Sequence, residues 1–119
     1  MDDDLVYLDL NNLKSFIEFR RNNPEFFLVS ANVVNNGVCA YYQQNYGAID
    51  KSLMDFPYDS FRGKLWESGA LAEKLHRYYI HNMDRFQYPG FIRLPLGDRL
   101  SINCVSWIGR DWKHMHHFN

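Results

Sequence analysis

Leu5-Val6-Tyr7-Leu8, then Asp9, then the run from Leu10 to Asn22, then Asn23-Pro24, then Phe26-Phe27-Leu28-Val29: residues 5–29 decide the reading of the fold. The first four form a short apolar run. Asp9 is a residue type that accepts hydrogen bonds from the free N–H groups of a first helical turn, and Leu10, Leu13, Phe16 and Ile17 follow it at helical spacing. Asn23-Pro24 ends that helix, because proline pushes the residue before it out of helical geometry. Phe26 to Val29 is continuously apolar rather than alternating, the pattern of a strand covered on both faces. Strand, helix and strand in this order predict a parallel crossover unit. The fold class expected is therefore α/β, a mixed sheet flanked by helices.

Beyond this unit the amides Asn32, Asn35 and Asn36 gather just past the second run, and Gly37 to Tyr46 predicts a short helix closed by Gly47. Asp50 to Gly63 has little periodicity and predicts a surface loop of the kind that often serves binding. Glu67 to His81 predicts a helix with Leu71, Leu75, Tyr78 and Tyr79 on its apolar side. Pro89, Gly90, Pro95 and Gly97-Asp98 punctuate the stretch after it. In the segment Leu100 to Ile108, apolar Leu100, Ile102 and Cys104 alternate with Ser101 and Asn103, which predicts a half-buried strand. No repeat or linker divides the chain, so residues 1–119 are expected to form a single domain.

A chain of 119 residues can hide roughly two thirds of its unfolded surface, enough for a real core. Its apolar fraction of 46% and charged fraction of 23% are those of a globular protein. No apolar run approaches the roughly 20 residues that span a bilayer, and the sequence opens on acids rather than on a signal peptide. A soluble, cytoplasmic chain is expected. The net charge is −1 and the basic residues are scattered, which disfavours nucleic acid as a partner. Cys39 and Cys104 form no Cys-x-x-Cys pair and read as two reduced, buried thiols. The 3 Trp, 8 Tyr and 9 Phe can fill a small core or stack on sugar rings and nucleobases, and both uses stay open.

In an extended backbone Asp2 and Asp4 project to one side and could hold one divalent ion, with Asp3 supporting them; an acidic, solubilising tail is the competing reading. Hard oxygen ligands suit Mg²⁺ or Mn²⁺. His76 and His81 are five residues apart on the expected helix and do not share a face. His114 and His116 would share a side if extended and could then ligate a metal; a frayed terminus explains them as well. Asp111 and Glu67 are candidate general bases for deprotonating a hydroxyl, and each also fits a helix cap or a first-turn charge. Asn32 lies where open α/β sheets contact ligands, and turn formation explains it nearly as well.

Taken as one string, Asp2-Asp3-Asp4-Leu5-Val6-Tyr7-Leu8, the helix to Asn23-Pro24-Glu25, Phe27 to Asn36, and Leu100 to Asp111 resemble a group of fungal and bacterial glycosyltransferase-like proteins of the GT-A type. The resemblance covers most of the chain, the middle only loosely. It implies a partial GT-A, Rossmann-like fold, with Asp2 and Asp4 holding Mn²⁺ or Mg²⁺ and Asp2, Asp3, Asp4 and Asn32 near the sugar-nucleotide diphosphate. The activity implied is transfer of a sugar from a nucleotide-sugar donor to a hydroxyl acceptor, with Asp111 or Glu67 as base. In the GT-A pattern a nucleotide-binding half precedes the acidic motif, whereas Met1 stands directly before it here. The expectation is a C-terminal part of a GT-A domain, completed by a missing half or by a second copy. The alternative is a non-catalytic remnant that binds carbohydrate or protein through exposed aromatics.

Overall fold

The computed structural model describes residues 7–59, 63–88, 90–95, 97–98, 100 and 103–115, with side chains through residue 113. The chain divides into two compact units, Met1–Ala31 with Ile102–Asn119, and Asn32–Ser101.

In the first unit α1 spans Leu10–Asn22, with Asp9 as its N-cap accepting from the Asn11 N–H at 3.0 Å. Its end is closed by Asn23, whose backbone N–H and side-chain amide both donate to the Phe19 carbonyl, at 3.1 and 2.7 Å. The helix thus starts and stops where the sequence predicts. Among the described residues no parallel crossover follows it. β1 is only Val29–Ser30, and it pairs antiparallel with β2, Val105–Ser106, in the register Val29 with Ser106 and Ser30 with Val105. The Ala31 N–H extends the pairing by one bond to the Cys104 carbonyl, 2.8 Å away. Phe26 turns back to stack on Phe19, with ring centroids 6.2 Å apart, while Phe27 and Leu28 are exposed. The apolar run is therefore divided among a ring contact, two exposed positions and the start of β1, and it is not a strand covered on both faces. Tyr7 and Leu8, the described end of the first run, belong to no strand. Within the predicted strand from Leu100 to Ile108, the paired residues are Val105 and Ser106.

The second unit is helical. α2 spans Gly37–Asn45, with the Asn36 side chain accepting from the Cys39 N–H at 3.0 Å, and Gly47 beyond its end takes a φ of +88°, open to glycine at no steric cost. α3 is Lys64–Glu67 and α4 is Gly69–His81; Ser68 between them closes the first and caps the second by accepting from the Leu71 N–H. A 3₁₀ turn, Met83–Phe86, follows. Leu75, fully buried, packs with Ala40, Ala48, Ile49, Leu65 and Phe86, and Leu71, Tyr78 and Tyr79 line the same core. The apolar side expected of α4 is the one buried. Among the described residues no helix is long and apolar enough to cross a membrane.

The region expected as a surface loop contributes to this core. Asp50 accepts from the Ser52 N–H and hydroxyl at 2.9 and 2.7 Å, the local bonding of an Asx turn, and the chain then buries Met54 and Phe56. Gln44 holds the backbone of Phe56 at both ends: Oε1 accepts from the Phe56 N–H at 3.0 Å and Nε2 donates to the Phe56 carbonyl at 3.3 Å. Gly63 meets Gly37 so closely that a Cβ on either would lie 3.2 Å from the other's Cα, and Gly63 has a φ of +64°. Gly63→Ala is expected to lower stability by about 1–3 kcal/mol through crowding and left-handed backbone together, read from urea denaturation. Tyr58 donates to an Asp98 carboxylate oxygen at 2.5 Å; this bond, then partial desolvation and the Asp98 charge, pushes its phenol from 10.0 up to about 12. The raised value means the bond stabilises the fold fully below about pH 10 and is lost as pH rises through about 12. Ultraviolet titration of Tyr58→Phe should therefore lack the highest phenolate step of the parent chain.

Candidate functional site

Asp111 is the candidate whose surroundings are most developed. Ile108 leads into a 3₁₀ turn, Gly109–Asp111, which runs directly into α5, Trp112–Met115, and the Asp111 N–H donates to the Ile108 carbonyl at 2.9 Å. This compact turn brings Trp107 and Trp112 face to face, with centroids 6.2 Å apart and planes 20° from parallel. The two rings stay 37% and 52% exposed, so they form a stacked pair at the surface rather than part of a core.

Beneath the turn lies a charge cluster. Arg20, in the last turn of α1, has a side chain only 2% exposed; Nη1 donates to the Asn23 carbonyl at 2.8 Å and Nη2 lies 3.5 Å from Asp111 Oδ2. Its Nε is buried without a hydrogen-bond partner. Arg110 approaches the other carboxylate oxygen, Nε to Oδ1 at 3.6 Å, and its Nη2 donates to the Pro24 carbonyl at 2.6 Å. The Asp111 side chain is 16% exposed. Each of its oxygens faces a guanidinium, so its charge is compensated and its lone pairs are directed inward. A general base needs a lone pair aimed at the substrate proton. This carboxylate is better placed to fix the turn than to accept one.

The other candidates are dispersed. Glu67 ends α3 and is exposed, beside Trp66 at 72% exposure. Asn32 uses its amide fully within the second unit: Nδ2 donates to the Tyr46 hydroxyl and the Phe86 carbonyl at 3.0 and 3.2 Å, and Oδ1 accepts from Gln43 Nε2 at 2.8 Å. Burial pushes the Tyr46 phenol up, opposed by the Asn32 bond. The reading of Asn32 as a structural amide accounts for all of these contacts. Asp2, Asp3, Asp4 and His116 lie outside the described residues. His114 lies in α5, so its backbone is helical rather than extended, and the shared side expected of it and His116 required an extended chain. His76 and His81 each pair Nδ1 with a carbonyl of their own helix, Ala72 and Arg77. Among the described residues no group of three or more His, Cys, Asp or Glu side chains could hold a metal ion. Cys39 and Cys104 are free thiols; Cys104 is buried, and burial pushes the Cys39 thiol up.

No family model, curated protein or solved structure matches this chain.

Sequence reasoning passed over Arg20, because an arginine at the end of a helix is ordinarily solvated and complements the helix dipole there. The signal available was weak: Arg20 stands three residues before the capping Asn23, within reach of its carbonyl. Removing one member of a buried pair leaves the other charge uncompensated. Asp111→Ala is expected to cost about 2–3 kcal/mol in urea denaturation, more than Arg20→Met, which removes the buried charge and the unsatisfied Nε together.

Proposed function

We propose that the chain is a carbohydrate-binding relative of the GT-A glycosyltransferases, in which the Trp107–Trp112 pair holds the sugar and no transfer takes place. The observation that carries this reading is the pair itself: two stacked indoles, exposed, on a turn fixed by Arg110 to Pro24 and by Asp111 to Arg20. An exposed indole face is apolar and accepts the C–H face of a pyranose. A platform braced in advance orders few groups on binding, so less of the contact energy is lost.

The second reading is transfer itself, favoured by the acidic triplet and its distance from the Ser30 to Asn35 segment. In it Asp2 and Asp4 hold Mn²⁺ or Mg²⁺, and the ion would offset the charge that develops on a nucleoside diphosphate leaving group. Those carboxylates lie outside the described residues. Asp111 would have to shed two guanidinium partners to act as base, and Glu67 stands in open solvent.

The two readings separate in binding experiments on the full chain. A neutral glucose oligosaccharide should bind with Trp fluorescence changes, and Trp112→Ala and Trp107→Ala should each weaken it about tenfold, roughly 1.4 kcal/mol. Asp2→Asn combined with Asp4→Asn should leave that binding unchanged. Loss of binding in the acidic double variant, or Mn²⁺-dependent binding of a nucleoside diphosphate, would instead favour transfer. Absence of both oligosaccharide binding and Mn²⁺-dependent nucleoside diphosphate binding would overturn both.

A further inference from the structure

We propose that the Trp107–Trp112 platform selects pyranoses bearing an anionic substituent, with Arg110 as the residue that takes the anion; this rests on the carbohydrate reading above. Two guanidinium groups, Arg20 and Arg110, face one carboxylate, Asp111, so the cluster carries a surplus positive charge. Burial decides where that surplus emerges. Arg20 is 2% exposed and Asp111 16%, whereas the Arg110 side chain is 64% exposed.

Geometry then fixes the exposed cation. Arg110 stands on the 3₁₀ turn between the two indoles in sequence; its Nη2 is oriented by the Pro24 carbonyl at 2.6 Å, and its Nε lies 3.6 Å from Asp111 Oδ1, an ion-pair separation. Nη1 has no protein partner among the described residues. A guanidinium held in this way has lost much of its rotamer freedom before the ligand arrives, and its planar N–H groups suit a carboxylate or a sulfate. Asp111 and Arg20 act as positioning residues: they hold the turn and do not touch the anion. A neutral pyranose would use the indoles alone.

The shared chemistry, an anionic group on a pyranose, has two sources, a uronic acid carboxylate or a sulfate ester, and the probes distinguish them. Trisaccharides ending in glucose, in glucuronate and in 6-sulfated glucose, otherwise identical, would be titrated into the full chain by NMR and calorimetry. Wild type should bind at least one anionic form about tenfold tighter than the glucose form, and the gap should narrow at high salt, because the exposed guanidinium is screened. Arg110→Gln removes the charge while keeping a polar side chain and should bring all three ligands within about twofold. Lys113→Ala removes an exposed lysine from the adjacent helix and should leave the preference intact. Equal affinity for the three ligands in wild type, with glucose still bound, overturns this inference and leaves the carbohydrate reading standing. A preference that survives Arg110→Gln, or that Lys113→Ala removes equally, overturns the role of Arg110. Should Arg110→Gln fail to fold by circular dichroism, the salt series on wild type decides, and a preference insensitive to salt overturns the proposal. Binding of none of the three removes the carbohydrate reading itself.

Discussion

The pair of hydrogen bonds between the Gln44 amide and the backbone of Phe56 is the constraint on which the second unit depends. A buried backbone N–H or carbonyl without a partner costs about as much as a lost hydrogen bond, and sheets ordinarily supply those partners. The strand residues described here are Val29, Ser30, Val105 and Ser106, all in the first unit. In the second unit side-chain amides take over the task. Gln44 satisfies Phe56, Gln43 reaches the Val33 carbonyl, Asn32 reaches Phe86, and Asn36 caps α2. The loop can then carry Phe56 and Met54 into the core without leaving its polar backbone unpaired.

In the first unit the corresponding device is ionic. Arg20 and Asp111 are 91 positions apart in sequence, and their contact joins the end of α1 to the turn that precedes α5. Taking a guanidinium out of water is expensive, and a 3.5 Å contact with one bare Nε compensates it incompletely. Such an arrangement specifies one placement of the turn more than it adds stability, and the placement is what sets Trp107 against Trp112.

Local order was the legible part of the sequence. Asp9 and Asn23 marked the two ends of α1 because capping acts over three or four residues, and the side of α4 carrying Leu71, Leu75, Tyr78 and Tyr79 followed from helical period alone. Pairing was not legible. A four-residue apolar run such as Phe26 to Val29 has no period that says which segment it meets, or whether its rings face a sheet, a helix or water. The site was partly legible: Asp111 stood out by its place after a tight turn, but what decides its chemistry is Arg20, whose burial no local pattern announces. Asn32 and Asn36 were visible as polar residues, read as ligand contacts or turn formers, and Gln43 and Gln44 as ordinary residues of a short helix; only the fold shows them pairing backbone that no strand pairs.

The indole pair also has an optical consequence. Two aromatic chromophores 6.2 Å apart are close enough to couple their excited states, and where their in-plane transition moments are skewed such coupling gives a paired positive and negative feature in the circular dichroism of the indole bands. The chain therefore carries a built-in spectroscopic ruler for a single turn. Its signal reports whether residues 107–112 are in register, independently of the helical content of the rest.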